Sequence, residues 1–297
     1  MRRRGGAIEG GVVGVRYVVV AARVTVAAVM PVAQGASIVR RSHHAVALAM
    51  RQSIKRAVTM AGMAQPAQAL VTRWRRRSRV WDRTMRDRAQ LAMLLAFALP
   101  ADANCIDVGA ADGKILEHIA RLAPRGRHLA YEPLPVFHTL LASRFPQVDV
   151  RALALSDIDG ETTFTYVRDR PWISGFRRPE HAGGSHAETI RVRTERLDDH
   201  LPDGYVPQFI KIDVEGAEEL VFRGALQTMI RHRPIVAFQH GRGSAEHYGT
   251  TPARIFGLLS DQAGLRIFDM DGGGPYTAAA FQRAYDTNAH FHFIARP

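Results

Sequence analysis

Residues 105–113 read CIDVGAADG, an apolar run followed by an acid and then by glycines at 109 and 113. Glycines are needed where a backbone turns tightly and must approach a ligand with no Cβ in the way. The amides of the helix after it, from about Lys114, point into the same crevice. This is chemistry for holding a nucleotide-type ligand. A dinucleotide fingerprint, G-x-G-x-x-G, would need glycines at 109, 111 and 114, where the chain has Gly109, Ala111 and Lys114. The actual spacing, D-x-G-x-x-x-G, suits a wider turn with the carboxylate of Asp107 near its start. The alternative is a strand-to-helix turn that binds nothing.

Further acids fall at the ends of later apolar runs. AYEP (130–133) places Glu132 where a carboxylate can accept hydrogen bonds from two ribose hydroxyls, and RALALSD (151–157) places Asp157 along the same edge, where an adenine is held. KIDVEG (211–216) puts Asp213 and Glu215 at the mouth of the crevice, to orient a cationic amino-acid group or position an acceptor. Glu218 and Glu219 read instead as first-turn acids that favour the positive end of a helix dipole. His240 is the candidate general base, because imidazole titrates near neutral pH; a satisfied structural histidine is the competing reading. His290 and His292 share one face of the last strand, but two-residue spacing without a third ligand predicts no metal site.

These residues need a frame. From residue 103 onward short apolar runs alternate with helical patterns, as in a parallel sheet covered on both faces. The runs are Asn104–Val108, His128–Tyr131, Val148–Leu155, Gln208–Asp213, Ile235–Gln239, Leu265–Met270 and His290–Ala295. Helices are expected at about Lys114–Leu122, Val136–Arg144, Ala217–Arg231 and Pro252–Gln262. Thr162–Val167 and Ile190–Thr194 alternate like a β-ribbon around a long loop, whose Trp172, Phe176, Arg177 and Arg178 are candidates to cover an acceptor. In 82–99, Met85, Ala89, Met93 and Ala96, flanked by Leu91, Leu94 and Leu95, recur at helical spacing with charge confined to the first turn, and predict a helix that packs on the α/β region.

The 297 residues carry a formal charge of +12, but residues 1–99 hold 18 bases against three acids, and residues 100–297 hold 22 against 25. A basic, poorly ordered leader (1–81) before one α/β domain (82–297) is therefore expected, and no specific nucleic-acid partner. Arg16 and Arg23 interrupt the apolar stretch 11–33, which argues against stable membrane insertion. With a single cysteine, Cys105, no internal disulfide forms, and a cytoplasmic location is expected.

DVGAADG, AYEP, ALSD, TERLDD (194–199) and above all FIKIDVEGAEELVFRGA (209–225), in that order, resemble the FkbM family of class I S-adenosylmethionine-dependent methyltransferases. The resemblance implies a Rossmann-like seven-stranded mixed sheet in the order 3-2-1-4-5-7-6, with the last strand antiparallel and helices on both faces. It implies S-adenosyl-L-methionine as cofactor, methyl transfer to an oxygen, and a small-molecule or glycan acceptor. Asp107, Gly109, Ala110, Gly113, Glu132, Asp157 and Asp213 are then the expected cofactor-binding residues, and His240, Asp213 and Glu215 the catalytic ones. The family often has Asn where Ala111 stands and Glu where Gln239 stands. The rival functions are an RNA methyltransferase and a non-catalytic binding protein on the same fold.

Overall fold

The structure is a computed structural model that describes residues 83–168, Ser174 and residues 187–297. The leader, its apolar stretch 11–33 and the loop side chains Trp172, Phe176, Arg177 and Arg178 lie outside the described residues. Among those described, no helix is long and apolar enough to cross a membrane.

The chain folds as α1 (83–98), β1 (Asn104–Val108), α2 (Lys114–Leu122), β2 (His128–Tyr131), α3 (Pro135–Arg144), β3 (Asp149–Arg151), β4 (Ala154–Leu155), β5 (Gly160–Val167), β6 (Ala187–Glu195), α4 (Leu197–His200) and β7 (Pro207–Ile212). It continues as α5 (Glu218–Gly224), α6 (Leu226–His232), β8 (Ile235–Gln239), α7 (Pro252–Phe256), β9 (Arg266–Asp269), α8 (Ala278–Asp286) and β10 (His292–Arg296). Seven strands form one sheet in the order β3-β2-β1-β7-β8-β10-β9, with β10 antiparallel to both neighbours, which is the expected 3-2-1-4-5-7-6.

The strand runs are apolar because both faces of the sheet are covered. All four residues of β2 are buried, as are Cys105, Ile106 and Val108 of β1 and Phe209, Ile210 and Ile212 of β7. One side of the core gathers Phe222, Met229, Ile255 and Phe281 over the middle strands. The other gathers Leu91, Leu95, Cys105, Ile119 and Phe209.

Three expectations need correction. The run Val148–Leu155 is not one strand: the Leu153 amide donates to Arg151 O in a tight turn, and Ala154–Leu155 pairs with Thr194–Glu195 in a second sheet, β4-β6-β5. The helix expected over Ala217–Arg231 is broken at Ala225 into α5 and α6.

In α1 the expected stripe faces solvent: Met85, Ala89, Met93 and Ala96 are all exposed, and Met93 is 61% exposed. The buried stripe is Asp87, Leu91 and Leu95, about 200° away around the helix. Leu91 and Leu95, expected only to flank the stripe, are the residues that reach the core, and a carboxylate stands in line with them. The helix Ala278–Asp286 went unpredicted, although Thr277 caps it by accepting from the Ala280 amide and Phe281 and Ala284 face the core.

Candidate active site

Strand register assembles the site. Val108 pairs with Tyr131 on one side and with Ile212 on the other, Ile212 pairs with Phe238, and Gln239 pairs with His292. The residues just past the parallel strands, Gly109, Glu132 and Asp213, therefore stand beside Gln239 and His292 along one sheet edge. This is the carboxyl edge, where open α/β sheets bind ligands.

At its centre the turn after β1 alternates into left-handed conformations at Gly109 (φ 73), Ala111 (φ 46) and Gly113 (φ 76). A Cβ on Gly109 would lie 2.1 Å from the carbonyl oxygen of Asp213. Gly109 is thus demanded by the end of β7 pressing on the turn, a reason the ligand-approach argument did not supply. Ala111 carries a backbone that favours Gly or Asn, which rationalises the Asn common at this position in the family it resembles. Its amide donates to Glu132 Oε2 at 2.8 Å, and the Leu134 amide donates to Oε1 at 2.9 Å. Burial raises the pKa of Glu132, and those two amides oppose the rise.

Two clefts open on either side of the glycine turn and share Arg88, Gly109, Ala111 and Asp213. The first, of about 760 Å³ to its open mouth, has apolar walls from Tyr131, Leu134, Phe137, Leu155, Phe164 and Val214, and acids Glu132, Asp213 and Glu215. Ser174, from the long loop, also lines it; its Oγ accepts from the Val167 amide at 3.0 Å. The second, of about 610 Å³, lies between the turn, the ends of β7 and β8, and α1, with Asp87, Lys211, Gln239 and His292 among its walls.

Asp107, expected near the ligand, is 1% exposed and lines neither cleft. Its Oδ1 stands 3.2 Å from Lys211 Nζ, which donates to Gly109 O at 2.6 Å and lies 3.9 Å from Asp213 Oδ2. Burial pushes the Asp107 carboxyl up. Burial would pull Lys211 down, but Asp107 and Asp213 reverse this and leave it raised. Of these opposed tendencies the charged ammonium is the firmer, since it is held by Gly109 O as well as by both acids. Lys211 therefore ties the ends of β1 and β7 together. A lysine inside an otherwise apolar strand was its sequence signal.

The DVEG turn is held from behind. Glu218, 1% exposed, accepts from the amides of Val214 (3.2 Å) and Gly216 (3.1 Å), so it organises the turn in addition to lying at a helix start. Burial pushes it up to about 7. Glu219 pairs with Arg223 at 2.8 Å. Glu215 has φ 54 and is pushed up to about 8, first by burial and then by Asp213 and Glu218.

Several expected residues stand elsewhere. Ala110 lines the second cleft rather than the first. Gly113 packs beneath Leu141 and Phe145. Asp157, beyond β4, lines neither cleft and accepts from Ser156 Oγ at 3.3 Å. His240 is 1% exposed and lines neither cleft; it lies against Phe281 and Tyr285, with ring centroids 5.6 and 5.0 Å away. Neither of its ring nitrogens has a hydrogen-bond partner among the described residues, and burial lowers its pKa to about 4. His290 and His292 do not converge: His290 Nε2 lies 3.5 Å from Asp269 and His292 Nδ1 lies 2.9 Å from Asp87.

The model of the methyltransferase FkbM domain matches residues 107–264, from the first strand through β8 to the loop before β9. The chain belongs to the FkbM methyltransferase family. AMB antimetabolite synthetase AmbE of Pseudomonas aeruginosa is 43% identical over 90 residues, 29% of this chain and 4% of that protein. Methyltransferase sdnD of Sordaria araneosa is 30% identical over 160 residues, 42% of this chain and 61% of that protein. The chain thus spans less than two thirds of either relative. Among solved structures, methyltransferase FkbM from Methylobacillus flagellatus KT is similar at 17% identity and a TM-score of 0.39, over 66% of this chain and 44% of that one.

S-adenosylmethionine is the methyl donor that membership of this family implies. The first cleft has the chemistry that such a molecule requires. Its apolar walls suit a purine, Glu132 suits a ribose diol, and a concentration of acids answered among the described residues by Lys211 and Arg88 suits a ligand bearing an ammonium and a sulfonium.

Proposed function

We propose that this methyltransferase acts on an alcohol oxygen of a sugar, glycan or natural product. The observation that carries the reading is the pair of clefts meeting at Gly109, Ala111 and Asp213. One has the chemistry for the donor, and the other is lined by Leu91, Ile115 and Phe238 together with polar groups suited to a hydroxylated acceptor. The likeness of a 90-residue segment to part of an antimetabolite synthetase supports the natural-product end of that range.

When bound, S-adenosylmethionine supplies an electrophilic methyl on a cationic sulfur. Glu132 accepts hydrogen bonds from the ribose hydroxyls, with the Ala111 and Leu134 amides holding its carboxylate in place. Asp213 and Glu215 orient the ammonium end, and the wall from Leu134 to Phe164 encloses the base. Transfer is an in-line displacement, so these residues accelerate it mainly by alignment and exclusion of water.

Calorimetry with S-adenosylhomocysteine and with NAD tests the donor assignment; NAD binding without S-adenosylhomocysteine binding would overturn it. Labelled donor and a set of hydroxylated probes test the acceptor. Label is expected in a base-stable methyl ether, and label found in an amine or ester instead would refute the oxygen assignment.

A further inference from the structure

The second cleft holds a pair of groups that the donor chemistry does not use. His292, the first residue of β10, donates from Nδ1 to Asp87 Oδ2 at 2.9 Å. Asp87 is 5% exposed, on the core-facing stripe of α1, and its other oxygen lies 3.9 Å from Arg86 Nη2. A carboxylate accepting from Nδ1 fixes the imidazole in the tautomer whose Nε2 carries a lone pair. Nε2 has no hydrogen-bond partner among the described residues, and His292 lines the cleft, as does Asp87. A base oriented by a third, buried group is the arrangement that proton abstraction from a hydroxyl requires. Neither rival matches it. His240 is enclosed by aromatic rings, and Glu215 lines the donor cleft alone.

We propose that His292, oriented by Asp87, is the general base that takes the proton of the acceptor hydroxyl. This deepens the alcohol-acceptor reading and rests on it. With the acceptor in the second cleft, its oxygen reaches the donor methyl across the shared turn at Gly109 and Asp213. The O–CH3 bond forms as the S–CH3 bond breaks. The bonding pair returns to sulfur, leaving S-adenosylhomocysteine, and the hydroxyl proton passes to Nε2 and then to solvent. Among the described residues, Arg86 and Arg88 from α1, Asp112 from the turn, Lys114 at the start of α2, Lys211 from β7, Asp213 just past it and Asp271, paired with Arg86, are charged groups around this base. Its cross-strand neighbour on β8, Gln239, is neutral.

The first test needs no acceptor. Diethyl pyrocarbonate should modify His292 of the full chain and leave His240 unmodified when the peptides are mapped; an unmodified His292 overturns the proposal. The second uses labelled donor and a probe set of methyl glycosides and hydroxy acids. H292A and H292Q should lower kcat by about 10²–10⁴-fold, with S-adenosylhomocysteine affinity within twofold of wild type. Added imidazole should restore part of the rate in H292A. D87N should lower kcat by up to about 10²-fold through misplacement of the ring. The rising limb of the pH–rate profile should vanish in H292Q and persist in E215Q. Full kcat in H292A, or no imidazole rescue with donor affinity intact, would sink this proposal alone. A wild-type protein that binds S-adenosylhomocysteine but methylates no hydroxylated probe would instead remove the alcohol-acceptor reading, and the base with it.

Discussion

The two clefts are built in different ways. On the donor side most walls are residues at or just after a strand end: Gly109 and Ala111 after β1, Glu132–Leu134 after β2, Leu155 in β4, and Asp213–Glu215 after β7. On the other side the strand ends Gly109–Asp112, Lys211–Asp213 and Ala237–Gln239 are joined by Asp87, Arg88 and Leu91 of α1 and by His292 of β10, with the Asp87–His292 pair separated by 205 positions in the chain. A donor common to many enzymes can be recognised by short segments at successive strand ends, each with its own local pattern. The second cleft also depends on which distant elements meet, and here a helix outside the alternating α/β series supplies Asp87, Arg88 and Leu91.

The largest expected effect falls on the turn that both clefts share. Gly109→Ala puts a Cβ within 2.1 Å of Asp213 O at φ 73, and should cost about 3 kcal/mol of stability in urea denaturation and abolish donor binding. Stable Gly109→Ala protein with normal affinity would show that the clefts do not depend on this contact.

Glu132→Ala should separate the two sides. It removes acceptor oxygens on the donor side and should weaken S-adenosylhomocysteine binding by about 10²-fold in calorimetry, since hydrogen bonds to a charged group contribute about 1.5–3 kcal/mol. Diethyl pyrocarbonate modification of His292 should be unchanged, because that residue belongs to the other cleft.

His240→Phe tests a residue outside both. Replacing a buried imidazole that lacks partners with an apolar ring should raise stability by about 1–2 kcal/mol at pH 7, read from the thermal midpoint. The sign with pH comes from the lowered pKa. Between about 4 in the fold and the ordinary value near 6.5, the unfolded chain binds a proton that the folded chain does not, so the wild type loses stability as pH falls through that window. His240→Phe should lack this loss. Abolished methyl transfer in a well-folded His240→Phe protein would return His240 to the site.

The smallest effect concerns charge on the donor side. Glu215, pushed up to about 8, is largely neutral at pH 7. A cationic donor favours its ionised form, so S-adenosylmethionine affinity should rise by about fivefold, or about 1 kcal/mol, from pH 7 to 9. Glu215→Gln should flatten this rise, and S-adenosylhomocysteine, which lacks the sulfonium charge, should show less of it.

How far the sequence could be read obeys the same division. The apolar runs of β1, β2, β7 and β8 and the glycine turn were legible because burial on both faces and a left-handed backbone each restrict residue type locally. Glu132 and Asp213 were placed correctly at the edge for the same reason. Asp157 and His240 were displaced from it: past the end of a strand, nothing in the sequence says which way the chain turns, and a single residue beyond β8 is enough to carry His240 under Phe281 and Tyr285. The α1 stripe was misread because its buried face includes Asp87, whose partner lies on the last strand.

Residue types and their spacing were enough to place the glycine turn and the strand ends, and the order of the motifs, through the family it resembles, implied the order of strands. These depend on contacts within a few residues and on periodic burial, which leave marks in composition and spacing. Which histidine lines a cleft was decided only when the chain folded. Antiparallel β10 enters the sheet at the carboxyl edge of its parallel neighbours, so His292 begins where Gln239 ends, and α1 lays Asp87 against it. Long-range register sets that meeting, and no short segment of sequence encodes it.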